Sequence, residues 1–530
     1  MPQLLKKAFY GLLLGFFGLF VVSSLFVRAE YNFAAYGDNP ILHTQRPIML
    51  IVLFILLLGL SVLGYKIVRK LNVYSAKIVV PIVLGISMIL QVTLIFLLPR
   101  LPTDDSQTVV SLALDMLYRH DYSSFDTHGY LHMFPFNFSS VLYIQTLLAI
   151  FPDNYIVIKL FNIGFSLLTT FMIHLIYLEL RDGKRSNDYG VLLLAAFYIP
   201  SLLMPNLIYN DVIGTALLTS AIYFVIRFVR VRHFRDIVFA ALLLAVGNYF
   251  RGIGALILIA AAVYLLLNLV KIGVRRTLLS LLVLIALFNV PSWTQTIYLQ
   301  ATGVTNKEIS ENAAPVYMWL NMGINLERFG FWDEMESYRI YQREAKFDKA
   351  ISTELYKDSI REKLSDASWN ELLSMYYKKL IWVWTEGTYQ IDRYGIGNET
   401  ATGGRIFGTP IGGSYSYDTW MTRLFQGDSM ARSILLWVLY ASSILMYALS
   451  AVRLFTGIRN RRYTEVLPVL ILLGFIAFYL LWEIKSRYLY PVYPLLLLLS
   501  YLGFKDTLAL LANTTFGKKI GLSKEEDVHA

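Results

Sequence analysis

Phe138-Ser139-Ser140-Val141-Leu142-Tyr143-Ile144-Gln145-Thr146-Leu147-Leu148-Ala149-Ile150-Phe151 is an apolar run of 14 residues in a chain full of longer ones. A helix needs about 20 residues to cross a bilayer, and shorter runs lie at an interface or inside a core. How this run is counted decides the sidedness of everything after it. As a span, it would put Arg181, Lys184 and Arg185 outside and reverse every later loop. As a juxtamembrane helix on the outer surface, it leaves the basic loops together on one side, as the positive-inside rule requires. The second reading is adopted.

Working outward, apolar runs of helix length fall near 8–26, 47–65, 78–98, 155–178, 190–208, 212–229, 236–250, 253–270, 277–296, 432–452, 466–482 and 488–504. The expected fold class is an all-α polytopic membrane protein with about 12 transmembrane helices. To these are added the juxtamembrane helix and a mixed extracytoplasmic loop region. The cytoplasmic side is marked by Lys66, Arg69, Lys70 and Lys77, by Arg181, Lys184 and Arg185, and by Arg227, Arg230, Arg232 and Arg235. Further along it is marked by Lys271, Arg275 and Arg276, by Arg459, Arg461 and Arg462, and by Lys518 and Lys519. A multi-pass protein of the cell membrane follows, with both termini cytoplasmic and residues 99–154 and 297–431 outside. The first run, after Lys6 and Lys7, lacks a small-residue cleavage pattern and reads as a retained anchor.

The chain then divides into an added N-terminal transmembrane hairpin (1–76), a core of spans with the first outward loop (77–296), an outward segment (297–431), and closing spans with a cytoplasmic tail (432–530). The outward segment opens with a loop around Asn306 to Asn312, continues with helix-like text from Asp333 to Trp384, and then turns Gly-rich from Gly387 to Gly413. Segments of this length are usually functional.

Composition agrees with a bilayer as solvent. The chain is 56% hydrophobic, 16% charged and 15% aromatic, with mean hydropathy +0.53. A net charge of +10 is compatible with nucleic-acid binding, but the cations are dispersed between apolar runs, which excludes a nucleic-acid groove as the main reading. The absence of Cys excludes disulfides, thiol catalysis and Cys-containing zinc sites. No Walker loop or dinucleotide fingerprint is present.

Several outward features carry chemistry. Leu98-Pro99-Arg100-Leu101-Pro102-Thr103-Asp104-Asp105-Ser106 sets two carboxylates where a span emerges. Adjacent carboxylates repel, which favours a base poised nearer neutrality; a helix cap with a first-turn acid explains the pair equally well. Asp211 fills the next outward turn, where Asp is also simple turn chemistry. Tyr130-Leu131-His132-Met133-Phe134-Pro135-Phe136-Asn137 leads into the juxtamembrane helix, as an interfacial anchor or as part of a site. Outward, membrane-flanking cations are Arg251, Lys378 and Lys379, and Lys485 and Arg487 in Trp482-Glu483-Ile484-Lys485-Ser486-Arg487-Tyr488. Each could snorkel to lipid phosphate; several on one face suggest a bound phosphate. His120, His128 and His132 have no zinc spacing. A divalent cation on Asp104, Asp105 or Asp211 is left open.

The order of these motifs resembles the GT-C superfamily of membrane glycosyltransferases, specifically the family 39-like, polyprenyl-phosphate-sugar-dependent enzymes of bacteria. Thr103-Asp104-Asp105-Ser106, Tyr130 to Asn137 and the short helix beyond are similar to the family's outward loop. In relatives the catalytic Asp lies eight positions before an Ala, a place taken here by Ala113, which favours Asp105 over Asp104. Ser106 stands where relatives carry Glu, so Asp104 stays open as the base.

The resemblance implies inverting transfer of a sugar from a polyprenyl-phosphate donor to an extracytoplasmic glycan, lipid or protein hydroxyl. It implies Asp105 or Asp104 as base and Asp211 as helper, with donor phosphate among Arg251, Lys378, Lys379, Lys485 and Arg487. Tyr130, His132, Asn137, Glu483 and Tyr488 would contact substrate. Competing expectations are a transporter or flippase of lipid-linked saccharide, and a surface-glycan ligase or polymerase. The first calls for ionisable groups near the midplane, where the spans hold few; His174 is the plainest.

Overall fold

A computed structural model describes residues 2–34, 37–152, 154–181, 187–305, 311, 313–396 and 417–512. The loop around Asn306, most of the Gly-rich stretch to Gly413, and Lys184, Arg185, Lys518 and Lys519 lie outside the described residues. The described residues are predominantly helical, as expected.

The first helix, α1 (Pro2–Ser23), leads to a β-hairpin of β1 (Val27–Ala34) and β2 (Gly37–Thr44), antiparallel with Val27 opposite Thr44. Then come α2 (Pro47–Leu71), α3 (Ala76–Leu97), α4 (Asp105–Leu114), α5 (Phe138–Ile150), α6 (Tyr155–Leu180), α7 (Asp211–Val231), α8 (Phe234–Phe250) and α9 (Gly254–Leu267). The second half supplies α10 (Val274–Phe288), α11 (Val290–Ala301), α12 (Val316–Gly323), α13 (Lys349–Asp366) and α14 (Trp369–Thr385). The closing helices are α15 (Met430–Arg459), α16 (Val466–Leu481) and α17 (Tyr493–Ala512).

Among the described residues, eight helices are long and apolar enough to cross a bilayer, α10 and α11 counting together as one and α17 extended back to Ser486. Other expected spans are present as shorter helices: α8 has 17 residues, α9 has 14 and α16 has 16. The run 190–208 is broken into Gly190–Ala196 and Ile199–Leu203, with a 3₁₀ turn at Met204–Asn206. Pro200 and Pro205 account for the breaks, since proline removes a backbone donor and disfavours helix in the residue before it.

The deciding run forms α5, 13 residues long, meeting the preceding helical turn at 103°. Asn137 ends the lead-in and Phe138, Val141, Ile144 and Leu148 are buried.

The hairpin was not expected. Its sequence 27–46 read as a loop between spans, yet Val27, Ala29, Tyr31 and Phe33 alternate with polar residues at the period of a strand. Trp382 Nε1 donates to the Glu30 carbonyl at 3.0 Å, tying this hairpin to α14.

The bundle closes on itself at its N-terminal helix. Tyr10 donates to Glu465 at 2.9 Å, Arg453 holds Glu465 at 2.6 Å and Asp506 at 3.2 Å, and Phe20 stacks on Trp384 at 5.7 Å. Buried charges must be paired, and this network pairs them between α15, α16 and α17. At the opposite end of the bundle, α3, α8 and α16 finish and α7 begins around one large hollow.

Candidate active site

The hollow is a cavity of about 1620 Å³. Its lining comes mostly from segments expected outside: the loop after α3, the lead-in to α5, the turn before α7, the turn after α8, the 313–349 region, residues 393–394, and the turn after α16; helix α11 also lines it, with Ser292 to Thr296 from an expected span. Segments scattered along the sequence therefore meet at a single face.

Asp104 and Asp105 open α4 and both border the cavity. Their situations differ. Asp104 has φ +56°, a region L residues rarely enter, and both its oxygens are bound by one guanidinium: Arg393 Nε reaches Oδ2 at 2.6 Å and Nη2 reaches Oδ1 at 2.5 Å. Such a fork is strong and planar, and it holds the strained residue in place. Asp105 takes part in no ion pair among the described residues. Its Oδ1 accepts from the Tyr130 hydroxyl at 3.1 Å. Tyr130 accepts from Asn137 Nδ2 at 2.7 Å, and Asn137 Oδ1 accepts from Tyr209 at 2.7 Å. Burial, with Tyr209 and Asp105 nearby, holds the Tyr130 phenol well above its ordinary range, so it stays a donor to the carboxylate.

Asp211 has no exposed surface. Arg251 Nη2 lies 3.2 Å from one oxygen and Arg487 Nη1 3.7 Å from the other, close ion contacts that are not aligned as hydrogen bonds. One carboxylate thus stands between two guanidiniums, leaving a surplus positive charge at the cavity. Arg251 packs over Tyr488 at 5.2 Å, and Arg487 over Tyr394 at 4.6 Å and Tyr209 at 5.2 Å. Arg487 Nε has no hydrogen-bond partner among the described residues. Arg251 approaches α7 where Gly214 offers no side chain; a Cβ there would sit 2.8 Å from the Arg251 Cβ.

Of the residues expected from sequence, Asp104, Asp105, Tyr130, Asn137, Arg251, Glu483, Lys485, Arg487 and Tyr488 border the cavity, with Asp211 directly behind the arginines. Tyr488 donates to Glu483 at 3.1 Å. Three others stand elsewhere. Lys379 is buried in α14 and donates to the Gly323 carbonyl at 2.6 Å. Lys378, one residue and about 100° around the same helix, is exposed. His132 sits beside Phe347, with burial lowering its imidazole from its ordinary value. Sequence reasoning did not pick out Arg393 and Tyr394; a charged and aromatic pair just beyond Trp384 was the available signal.

The carboxylates proposed for a divalent cation do not converge. Asp104 is committed to Arg393 and Asp211 to two arginines, and no group of three acidic or histidine side chains stands together among the described residues. The residues do not fit a resident cation.

Residues 140–294 match the family model described as dolichyl-phosphate-mannose-protein mannosyltransferase. The GT-C resemblance is borne out. The matched segment contains α6 to α10 and with them Asp211 and Arg251. Among solved structures, the chain is similar to the archaeal oligosaccharyltransferase AglB from Archaeoglobus fulgidus, in complex with an inhibitory peptide and a dolichol-phosphate. The identity is 12% and the TM-score 0.40, over 82% of this chain and 51% of that one, so this chain spans about half the length of that protein. No curated protein matches it.

Proposed function

We propose that this chain moves a sugar from a polyprenyl-phosphate donor to an extracytoplasmic acceptor hydroxyl, with inversion at the anomeric carbon. The observation that carries the reading is the division of labour across one cavity: an ion-pair-free carboxylate, Asp105, on one side and the Arg251–Asp211–Arg487 cluster on the other. Asp104 is neutralised by Arg393, which favours Asp105 as the base.

In this mechanism the Asp105 carboxylate takes the proton from the acceptor hydroxyl as its oxygen attacks the anomeric carbon. The bond from that carbon to the donor phosphate breaks, and its electron pair leaves on the phosphate oxygen. Arg251 and Arg487, with Lys485 nearby, stabilise that developing charge in a site already organised before reaction. Tyr130 and Asn137 fix Asp105. Tyr209 links the two sides, since it donates to Asn137 and lies under Arg487.

The test is transfer by the purified chain in lipid nanodiscs, using labelled polyprenyl-phosphate sugars and a range of hydroxyl acceptors. Asp105→Asn should lower the rate about 100-fold to 10,000-fold, the span of general-base contributions. A folded Asp105→Asn variant that kept the full rate would remove Asp105 from the mechanism.

A further inference from the structure

A continuous aromatic wall runs along the cavity and ends on Asp105. Trp319 and Trp482 lie face to face, 5.6 Å between centroids and 7° from parallel. Phe136 and Phe134 meet Trp319 at 6.1 and 6.2 Å. Phe134 in turn touches Trp332 at 6.4 Å and Tyr130 at 5.3 Å, and Tyr130 donates to Asp105. All these rings border the cavity, and they come from four separate stretches: the lead-in to α5, α12, the loop beyond it, and the end of α16.

The wall is open to the cavity over one buried ring, Phe134. Phe136 keeps 53% of its surface exposed, and Trp319, Trp332 and Trp482 are only half-buried. Carboxylates are interleaved with the rings, all three on the cavity: Glu483 follows Trp482 and accepts from Tyr488, and Asp333 and Glu334 follow Trp332 and pair with Arg328 and Arg343 while keeping further lone pairs for a hydroxyl.

Flat apolar faces alternating with hydroxyl-accepting carboxylates match the surface of a saccharide. The C–H face of a sugar ring stacks on an aromatic ring, while its hydroxyls donate sideways. An acyl chain laid here would cover these charged and hydrogen-bonding groups while offering them no hydrogen bond of its own. A peptide added as a strand would need a sheet edge, whereas this lining is helix and turn.

We propose that the wall is the acceptor subsite and that the acceptor is a saccharide, so that the hydroxyl reaching Asp105 is a sugar hydroxyl. This rests on the glycosyltransferase reading for the reaction, but the subsite can be measured without any reaction. Calorimetric titration of the chain in nanodiscs, donor absent, would use a panel of neutral and amino-sugar oligosaccharides, a Ser/Thr-rich peptide, and nanodiscs containing diacylglycerol.

At least one oligosaccharide class should bind saturably. Trp319→Ala should weaken that binding about tenfold, the loss expected for one stacking contact, and Trp319→Phe should restore most of it. Trp369→Ala, 81% exposed and away from the cavity, should leave it unchanged. The proposal is overturned if no oligosaccharide binds, if Trp319→Ala binds like the parent, or if the peptide or diacylglycerol binds in its place. Saccharide binding without transfer for any donor would instead sink the glycosyltransferase reading and leave the subsite standing. Transfer to a peptide or lipid hydroxyl without saccharide binding would do the reverse.

Discussion

Asp211 and its two arginines show what a single residue can be asked to do. A carboxylate with no exposed surface is tolerable only while its charge is matched, and removing one partner of a buried pair typically costs about 3–5 kcal/mol. Arg487→Gln should therefore lower the melting temperature sharply, confounding stability with catalysis. Adding Asp211→Asn should recover most of the lost stability while the KM for donor stays raised tenfold or more. A double variant with the parent's donor KM would remove Arg487 from phosphate binding.

At this scale the sequence was informative where chemistry flanks a span. Asp105, Asp211, Arg251 and Arg487 each sit at a helix end, where hydropathy itself marks the position. Arg393 was not legible, because its importance comes from reaching Asp104 across 289 residues. Lys379 misled for a different reason: adjacent lysines look like one cationic spot, but a helix turns them to different surroundings.

Among the elements, α14 has a pH dependence built into its C-terminal half. Burial pulls the Lys379 ammonium down to about 7 and pushes the Glu386 carboxyl up to about 7. Between 7 and the ordinary lysine value of 10.5, the unfolded chain binds the extra proton, so the Lys379 contribution to stability improves as pH rises. Between the ordinary glutamate value of 4.5 and 7, the folded chain binds the extra proton, so the Glu386 contribution weakens as pH rises. Together they favour a stability minimum near neutrality. Thermal melts at several pH values should show Lys379→Met flattening the alkaline side and Glu386→Gln the acidic side. A Lys379→Met profile parallel to the parent's would contradict the first assignment.

The elements themselves were legible to differing degrees. Long apolar runs became helices, and the helix-like text from Asp333 to Trp384 yielded α13 and α14. The break at 197–198 depends on prolines that a hydropathy window averages away. The hairpin was passed over although β1 alternates cleanly, because Gly37-Asp38-Asn39-Pro40 at the start of β2 reads as a turn.

For the molecule as a whole, the proposal requires the cavity to open outside the cytoplasm. The chain has no Cys, so single cysteines report cleanly. A thiol at Lys378, exposed on α14, should react with an impermeant maleimide in intact cells. One at Asn460, exposed just beyond α15, should react only after permeabilisation. The opposite pattern would reverse the sidedness and, with it, the choice made for Phe138 to Phe151.

The contact between Tyr10 and Glu465 also has a duration. These residues are 455 positions apart, and a ribosome adds about 5–20 residues per second. Helix α1 therefore enters the bilayer roughly 20–90 seconds before the helices that will cover its buried face exist. Through that interval Tyr10, Leu13 and Phe17 must rest against lipid or an insertion factor. Trp482, Glu483 and Arg487 arrive later still, so the cavity cannot assemble while the chain grows; it forms when the newest helices close over the oldest.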